Sequence, residues 1–255
     1  MKKLSAVIIT FNAEKKITAC LSSLQGVADE IIILDSFSTD NTAAICRQFG
    51  VRFHQQAWKG YGAQKNDAQK LATHDYVLSL DADEYLSPEL QQSLLDIRNN
   101  GMEGAYRFNR RNIFFGRTLR YGHTAPNVIV RCFNRRQVGW SLREVHETPV
   151  VPAEVTVRTL KGDLIHNSKD TLEEYISTLN SYSSAGARVL HQNGRRSGFF
   201  SILFRPAFTF FQGYFIRRGL LDGIPGLVMA LTFSFENFLK YAKLYLLQTK
   251  EEKAP

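Results

Sequence analysis

Three observations predict an α/β protein with a mostly parallel sheet and a C-terminal, aromatic-rich helical extension. Strand-like and helix-like runs alternate through the first 85 residues, the pattern of successive βαβ units. The long strand-like runs are continuous and apolar, as strands buried on both faces must be. Aromatic residues crowd the far end, where residues 199–246 hold 13 of the chain's 30 Phe, Trp and Tyr.

Taken in order, Leu4–Thr10 is apolar and β-branched and reads as a buried first strand. Its shortness and the lack of a small-residue cleavage site argue against a signal peptide. Glu14–Leu24 carries Ile17, Cys20, Leu21 and Leu24 at helical spacing, and Glu30–Asp35 is a second buried strand. Asp40–Phe49 reads as a helix with Thr39 or Asp40 as N-cap and Gly50 closing it. Val51–Gln55 is a short strand, Gln64–Ala72 a helix, and Asp75–Asp81 a third long strand.

Beyond residue 103 the strands shorten to Gly104–Asn109, Val128–Asn134 and Val155–His166. Thr171 and Glu174 have capping-box spacing, and the helix behind them presents Leu172, Tyr175, Ile176, Leu179 and Tyr182 on one face. The expected divisions are 1–103, 104–170 and a helical extension 171–255. In that extension Phe199–Arg218 and Ile224–Phe235 are apolar but interrupted. Neither reaches the roughly 18–20 apolar residues of a spanning helix, so the tail reads as interfacial over residues 199–247.

The net charge of +8 is unevenly spread. Residues 1–103 carry 10 basic against 13 acidic side chains, whereas 104–143 carry nine Arg and no acid. Residues 195–255 carry nine basic against four acidic. An acidic first half disfavours nucleic acid as the partner, and arginine suits phosphate and carboxylate groups. Three cysteines without CxxC or CxxH spacing disfavour a disulfide scaffold or zinc ribbon and fit a reducing compartment.

Parallel sheets bind ligands at the carboxyl ends of their strands. Those ends carry Thr10-Phe11-Asn12, Asp35-Ser36 and Asp81-Ala82-Asp83. Neither GxGxxG nor GxxxxGK[ST] occurs, so side chains must hold the ligand. Asp35 could accept from a base N–H or a ribose hydroxyl. Asp81 and Asp83 offer hard oxygen ligands for Mg²⁺ or Mn²⁺, with a diphosphate completing the octahedron. A metal-dependent phosphohydrolase would also use such acids, but its nucleophilic Asp is missing from the first strand. A basic nucleic-acid or membrane-binding module would leave the acids unexplained.

TFNAEKKI, DSFSTDNT and LDADE, in that order, resemble the nucleotide-sugar half of the GT-A fold in family 2 of the inverting glycosyltransferases. With YGAQKNDA, REVHETP and RRGLLDGIPGL, the chain resembles bacterial lipopolysaccharide or lipooligosaccharide core β-1,4-glucosyltransferases along nearly its whole length. Asp35-Ser36 departs from the two adjacent acids common in the broader family.

The resemblance implies a UDP-sugar donor, with Thr10, Phe11, Asn12, Glu14 and Asp35 lining the uridine pocket. Lys65 and Asn66 would lie near base, ribose or diphosphate, Asp81 at ribose or sugar, and Asp83 on the metal with His166 as a further ligand. Glu147 is preferred to Glu144 as general base. It further implies a hexose, as UDP-glucose, moved to an inner-core heptose of an anionic glycolipid. The central Arg block would meet the acceptor anions. The enzyme would be cytoplasmic, peripheral on the inner face of the inner membrane. The alternative is another lipid-linked or capsule acceptor.

Overall fold

The computed structural model describes residues 1–114, 116–142, 147–169 and 171–251. Contacts divide the chain into two compact units, residues 1–111 with 127–167 and residues 112–126 with 168–255. The first therefore contains 1–103 and most of 104–170, while a short stretch of the Arg block belongs with the tail.

The elements of the first half are β1 (Leu4–Thr10), α1 (Ile17–Leu24), β2 (Glu30–Asp35), α2 (Thr42–Gln48), β3 (Arg52–Gln55), α3 (Tyr61–Lys70), β4 (Tyr76–Asp81), β5 (Glu84–Leu86) and α4 (Pro88–Asn100). β6 (Ala105–Phe114), β7 (Arg117–Thr118), β8 (Val128–Asn134), β9 (Gly139–Trp140), β10 (Pro149–Val150) and β11 (Val157–Lys169) follow. The main sheet runs β3-β2-β1-β4-β8-β6-β11-β5, with β7 on β6. It is parallel from β3 to β4 and antiparallel where β8 joins β4 and β6. It is thus mixed, parallel only in the half that the βαβ pattern predicts.

Both faces of β1 are buried, which explains its unbroken apolar sequence. Leu4, Ala6 and Ile8 pack with Cys20, Leu21 and Leu24 of α1 and Leu90 and Leu94 of α4. Val7 and Ile9 turn the other way, toward Ala68 of α3, Phe133 and Trp140. Helix α4 is absent from the sequence expectations. Its signals are Ser87, whose hydroxyl accepts the Leu90 N–H at 3.2 Å, and Pro88 in the first turn. α2 begins at Thr42, yet Asp40 still serves it by accepting the Thr42 N–H at 3.0 Å.

The second unit contains α5 (Leu172–Gln192), α6 (Phe199–Phe211) and α7 (Gly223–Glu251). The Thr171 hydroxyl accepts the Glu174 N–H, as its spacing predicts. Tyr175 and Leu179 are buried with Met229 of α7, whereas Leu172, Ile176 and Tyr182 are exposed. The face expected to be buried is therefore shifted toward Ser183 and Ala187. The RRGLLDGIPGL run is a packing device: Asp222 accepts the Arg120 and Tyr121 N–H groups, and a Cβ on Gly226 would meet the Gly219 carbonyl oxygen at 1.9 Å.

One helical stretch, Gly219–Lys250, is long and apolar enough to cross a membrane on length and composition. This corrects the expectation that no tail segment reaches that length. A single Glu236 interrupts the apolar sequence without ending the helix. A core helix passes the same test, and 22% of the apolar window is buried within the chain.

Glu30 joins three strands and the turn before a fourth. Its carboxylate accepts from Ser5, the Thr73 N–H (2.6 Å) and Arg52 (2.7 Å). Burial opposes its ionisation, but these hydrogen bonds outweigh burial and lower its pKa from 4.5 to about 2. A depressed carboxylate stabilises the fold above its unfolded pKa and loses that contribution as pH falls through the folded value. The stability advantage of wild type over Glu30→Gln should therefore shrink between pH 4.5 and 2, read from urea midpoints. Gly226→Ala should cost about 1–3 kcal/mol by overpacking, read from the same midpoints at neutral pH.

Candidate active site

The loops after β1 and β2 are zipped together by polar side chains. The Asn12 N–H donates to Ser38 Oγ (2.8 Å), and Asn12 Oδ1 accepts the Thr39 N–H (2.9 Å). Glu14 Oε2 accepts from the Asn41 N–H and side-chain amide at 3.1 and 3.0 Å. The Ala13 N–H reaches Thr42 Oγ1 at 2.8 Å. This zipper explains the pairing of TFNAEKKI with DSFSTDNT. It also gives Asn12 and Glu14 structural work that their expected place in a nucleotide pocket did not include.

Asp35 anchors the zipper from below. It is fully buried, and its oxygens accept from Thr10 Oγ1 (2.8 Å), the Ser38 N–H (2.8 Å), Ser38 Oγ and Gln55 Nε2 (3.2 Å). These four donors occupy the carboxylate between the ends of β1, β2 and β3. Phe11 is exposed on the first loop, and Phe37, which the sequence reading missed, is exposed on the second with φ 60°.

At the end of β4 a buried ammonium organises the acids. Lys65 Nζ on α3 is 2.9 Å from Asp81 Oδ1 and 2.8 Å from Glu147 Oε1, with the side chain 1% exposed. It also lies 4.4 Å from the centre of the Trp140 ring. Asp81 Oδ2 pairs with Arg131 at 2.7 Å, and Arg131 reaches Glu84 at 2.9 Å. Burial opposes ionisation of Asp81, but Lys65 and Arg131 override it and hold its carboxyl well below the usual carboxylate range. Burial likewise opposes the Arg131 charge, and Glu84 and Asp81 raise its pKa above the ordinary value.

Several of the expected site residues have partners within the chain. Lys65 is engaged by two carboxylates of its own chain. Both polar atoms of the Asn66 amide bind the Trp140 backbone, at 2.8 and 2.9 Å, so Asn66 fixes β9 to α3. Glu84 was missed, though it is the last letter of LDADE; it also accepts the Asp81 N–H at 3.0 Å. The Arg block is not one anion-binding face: Arg131 is buried, Arg111 pairs with Asp163, and Arg136 pairs with Asp75 at the opposite end of β4. Glu144 and His146 lie outside the described residues.

Tyr61 stands at the start of α3, edge-on to Trp58 with centroids 4.7 Å apart. Burial raises its pKa, and Asp81, Glu147 and Asp83 add to the shift. The Trp58–Tyr61 pair thus lies beside the acids, a neighbour that spacing alone did not reveal.

Asp83 Oδ2 and His166 Nε2 are 3.4 Å apart. Neighbouring ligands of an octahedral ion with bonds of ~2.1 Å stand about 3 Å apart, so the pair fits the protein's share of a Mg²⁺ or Mn²⁺ site completed by phosphate and water. Among the described residues, no group of three or more His, Cys, Asp and Glu is arranged to hold a metal.

The glycosyl transferase family 2 model matches residues 5–149, more than half of the chain. The chain belongs to glycosyl transferase family 2. The matched stretch of this family 2 chain runs from β1 through Glu147 and leaves out His166 and the tail. A lipopolysaccharide core biosynthesis glycosyltransferase, LpsC of Rhizobium meliloti, is 33% identical over 95% of this chain and 92% of its own length. An uncharacterized glycosyltransferase of Rickettsia typhi is 31% identical over 98% of this chain and 89% of its own. Among solved structures, S. aureus TarS 1-349 in complex with UDP aligns with a TM-score of 0.49 and 14% identity, over 98% of this chain and 92% of that one. Family membership and the mixed sheet agree with the predicted α/β, GT-A class.

In this family 2 enzyme, Gly62 lets α3 approach the segment leading to Glu147. A Cβ there would lie 1.9 Å from the Ser141 carbonyl oxygen. Gly62→Ala should displace that segment and lower the rate of sugar transfer by about 100-fold, the scale of a misplacement of about 1 Å. Initial rates at saturating donor, with a melting curve as folding control, measure it.

Proposed function

We propose that this family 2 glycosyltransferase is inverting and moves a hexose, as UDP-glucose, to an inner-core heptose of lipopolysaccharide or lipooligosaccharide. The carrying observation is that Glu147, from beyond the Arg block, shares the Lys65 ammonium with Asp81 at the end of β4. A carboxylate from the second half of the matched region is thus adjacent to a strand-end acid at the sheet's ligand-binding edge. The acceptor class is supported by the nearly full-length likeness to LpsC, whose name assigns it to lipopolysaccharide core biosynthesis.

On this reading the acceptor hydroxyl attacks C1 of the donor sugar from the face opposite the diphosphate. The new C1–O bond forms as the bond to the diphosphate breaks, and the hydroxyl proton passes to Glu147. Lys65 holds that carboxylate in place beside Asp81. Asp35 stiffens the nucleotide-side loops through Thr10 and Ser38, while exposed Phe11 and Phe37 offer faces for the base. Asp83 and His166 would hold the divalent cation, which supplies positive charge to the leaving diphosphate. The aromatic tail would keep the enzyme at the cytoplasmic face of the inner membrane, where anionic lipids attract basic segments.

A panel of UDP-sugars assayed for transfer to core lipopolysaccharide acceptors tests the reading, with UDP-glucose expected to be preferred. Glu147→Gln should lower kcat by about 100- to 10,000-fold, the range for loss of a general base. Asp83→Ala should abolish the response of the rate to added Mg²⁺ or Mn²⁺. Full activity in Glu147→Gln, with loss in Glu144→Gln, would transfer the base to Glu144.

A further inference from the structure

A groove of about 450 Å³ lies between α6 and α7, within the second unit. One wall is apolar: Phe200, Phe204 and Phe208 recur every four residues on α6 and are all more than half exposed. Phe200 and Phe204 stack at 5.8 Å. The exposed apolar surface continues through Phe211, Phe215 and Ile216. An uncovered patch of that kind marks an interaction surface.

The groove also carries one cation among its lining residues, Arg205. Arg205 lies 4.8 Å from the centre of the Tyr241 ring, and the Lys240 ammonium 5.5 Å from the same centre. Burial lowers the Lys240 pKa, Glu236 opposes that, and Arg205 adds a smaller lowering. No acid lines the groove, and Ser201, Thr209 and Asn237 supply neutral polar groups. The second unit as a whole holds 13 Lys and Arg against 7 Asp and Glu.

We propose that this groove holds an anionic phospholipid of the leaflet, its phosphate on Arg205 and an acyl chain along Phe200, Phe204 and Phe208. A phosphate beside Arg205 neutralises the cation that lines the groove, and an acyl chain covers a phenyl wall that a free anion would leave wet. A second copy of the chain fits less well, because a two-fold contact sets each groove's cation against the same cation of its mate. Arg217 and Arg218, both exposed beyond α6, suit the level of the headgroups. The proposal rests on the membrane-surface reading of the tail given above.

The test uses full-length protein in flotation with phosphatidylcholine vesicles and with vesicles of equal parts phosphatidylcholine and phosphatidylglycerol. Wild type should prefer the mixed vesicles. Arg205→Ala should weaken that binding by about fivefold, the effect of one basic residue near an anionic surface, and Arg205→Lys should restore most of it. Phe204→Asp should weaken binding to both vesicles. Phosphatidylglycerol with a photoreactive acyl chain should label the peptide 199–211.

If wild type binds while Arg205→Ala and Phe204→Asp bind equally well, or the label falls outside α6 and α7, the groove assignment is overturned and the membrane reading stands. If wild type binds neither vesicle, both fall. Loss of a solution dimer in Phe204→Asp, without vesicle binding by wild type, would assign the groove to a second copy. Hydrolysis of UDP-glucose, expected unchanged in both variants, reports folding and tests the glycosyltransferase reading separately.

Discussion

A lysine ammonium with almost no solvent access must be neutralised from within, and meeting that demand at Lys65 organises the centre of the first unit. Removing one partner of a buried ion pair costs about 3–5 kcal/mol because the other charge is left uncompensated. Asp81 comes from β4 and Glu147 from a segment 66 residues further along, so one charge ties α3, the parallel sheet and the later chain together. The arrangement extends as alternating signs: Glu147, Lys65, Asp81, Arg131, Glu84, Arg110. Trp140 presents its ring to both Lys65 and Arg131, and Asn66 fixes the Trp140 backbone. The close approach at Gly62 belongs to the same constraint, since α3 must come near residue 141 for Lys65 to reach both acids.

Asp35 does at the ends of β1 and β2 what Lys65 does at the end of β4. It is a buried charge whose hydrogen bonds set the shape of loops that would otherwise be free. Its bonds to Thr10 and Ser38 join the ends of β1 and β2, and Asn12 and Glu14 continue the connection outward. This offers a physical reading of the single acid at Asp35-Ser36. One carboxylate with four donors suffices to hold two loops, and the neighbouring Ser36 hydroxyl accepts from Gln64 of α3 at 3.2 Å. Helix α3 thus touches both regions, through Gln64 at Ser36 and through Lys65 itself.

The sequence reveals β1, β2 and β4 because burial on both faces leaves a continuous apolar signature that survives without partners in view. It also reveals Asp81, Asp83 and Glu147 as acids worth attention, since few residue types can do that chemistry at strand ends. Partner identity is what it hides. Asp35, Lys65, Asn66 and Arg131 were sensible ligand contacts by type, yet each is engaged by groups 20 or more residues away. Helix α4 escaped because its apolar positions are few, and its start is marked by a serine–proline pair instead of by periodicity. The shifted face of α5 has the same origin, since only α7 decides which of its apolar stripes is covered.

Partnering also changes what the net charge of +8 means. Nine arginines in residues 104–143 suggest a surface built for anions, but Arg131, Arg110, Arg111 and Arg136 each have a carboxylate of the first unit within reach. The first unit as a whole has 19 basic against 17 acidic side chains, an excess of only two. The remaining six of the eight belong to the unit with the exposed aromatic helices. Positive charge and uncovered apolar surface thus coincide on the same unit, while the acids of the candidate active site lie on the other. That coincidence is what an anionic membrane surface requires of a protein: charge brings it to the headgroups, and apolar side chains hold it there. A soluble anionic substrate requires only the charge, and leaves the exposed phenyl rings of α6 without a physical reason.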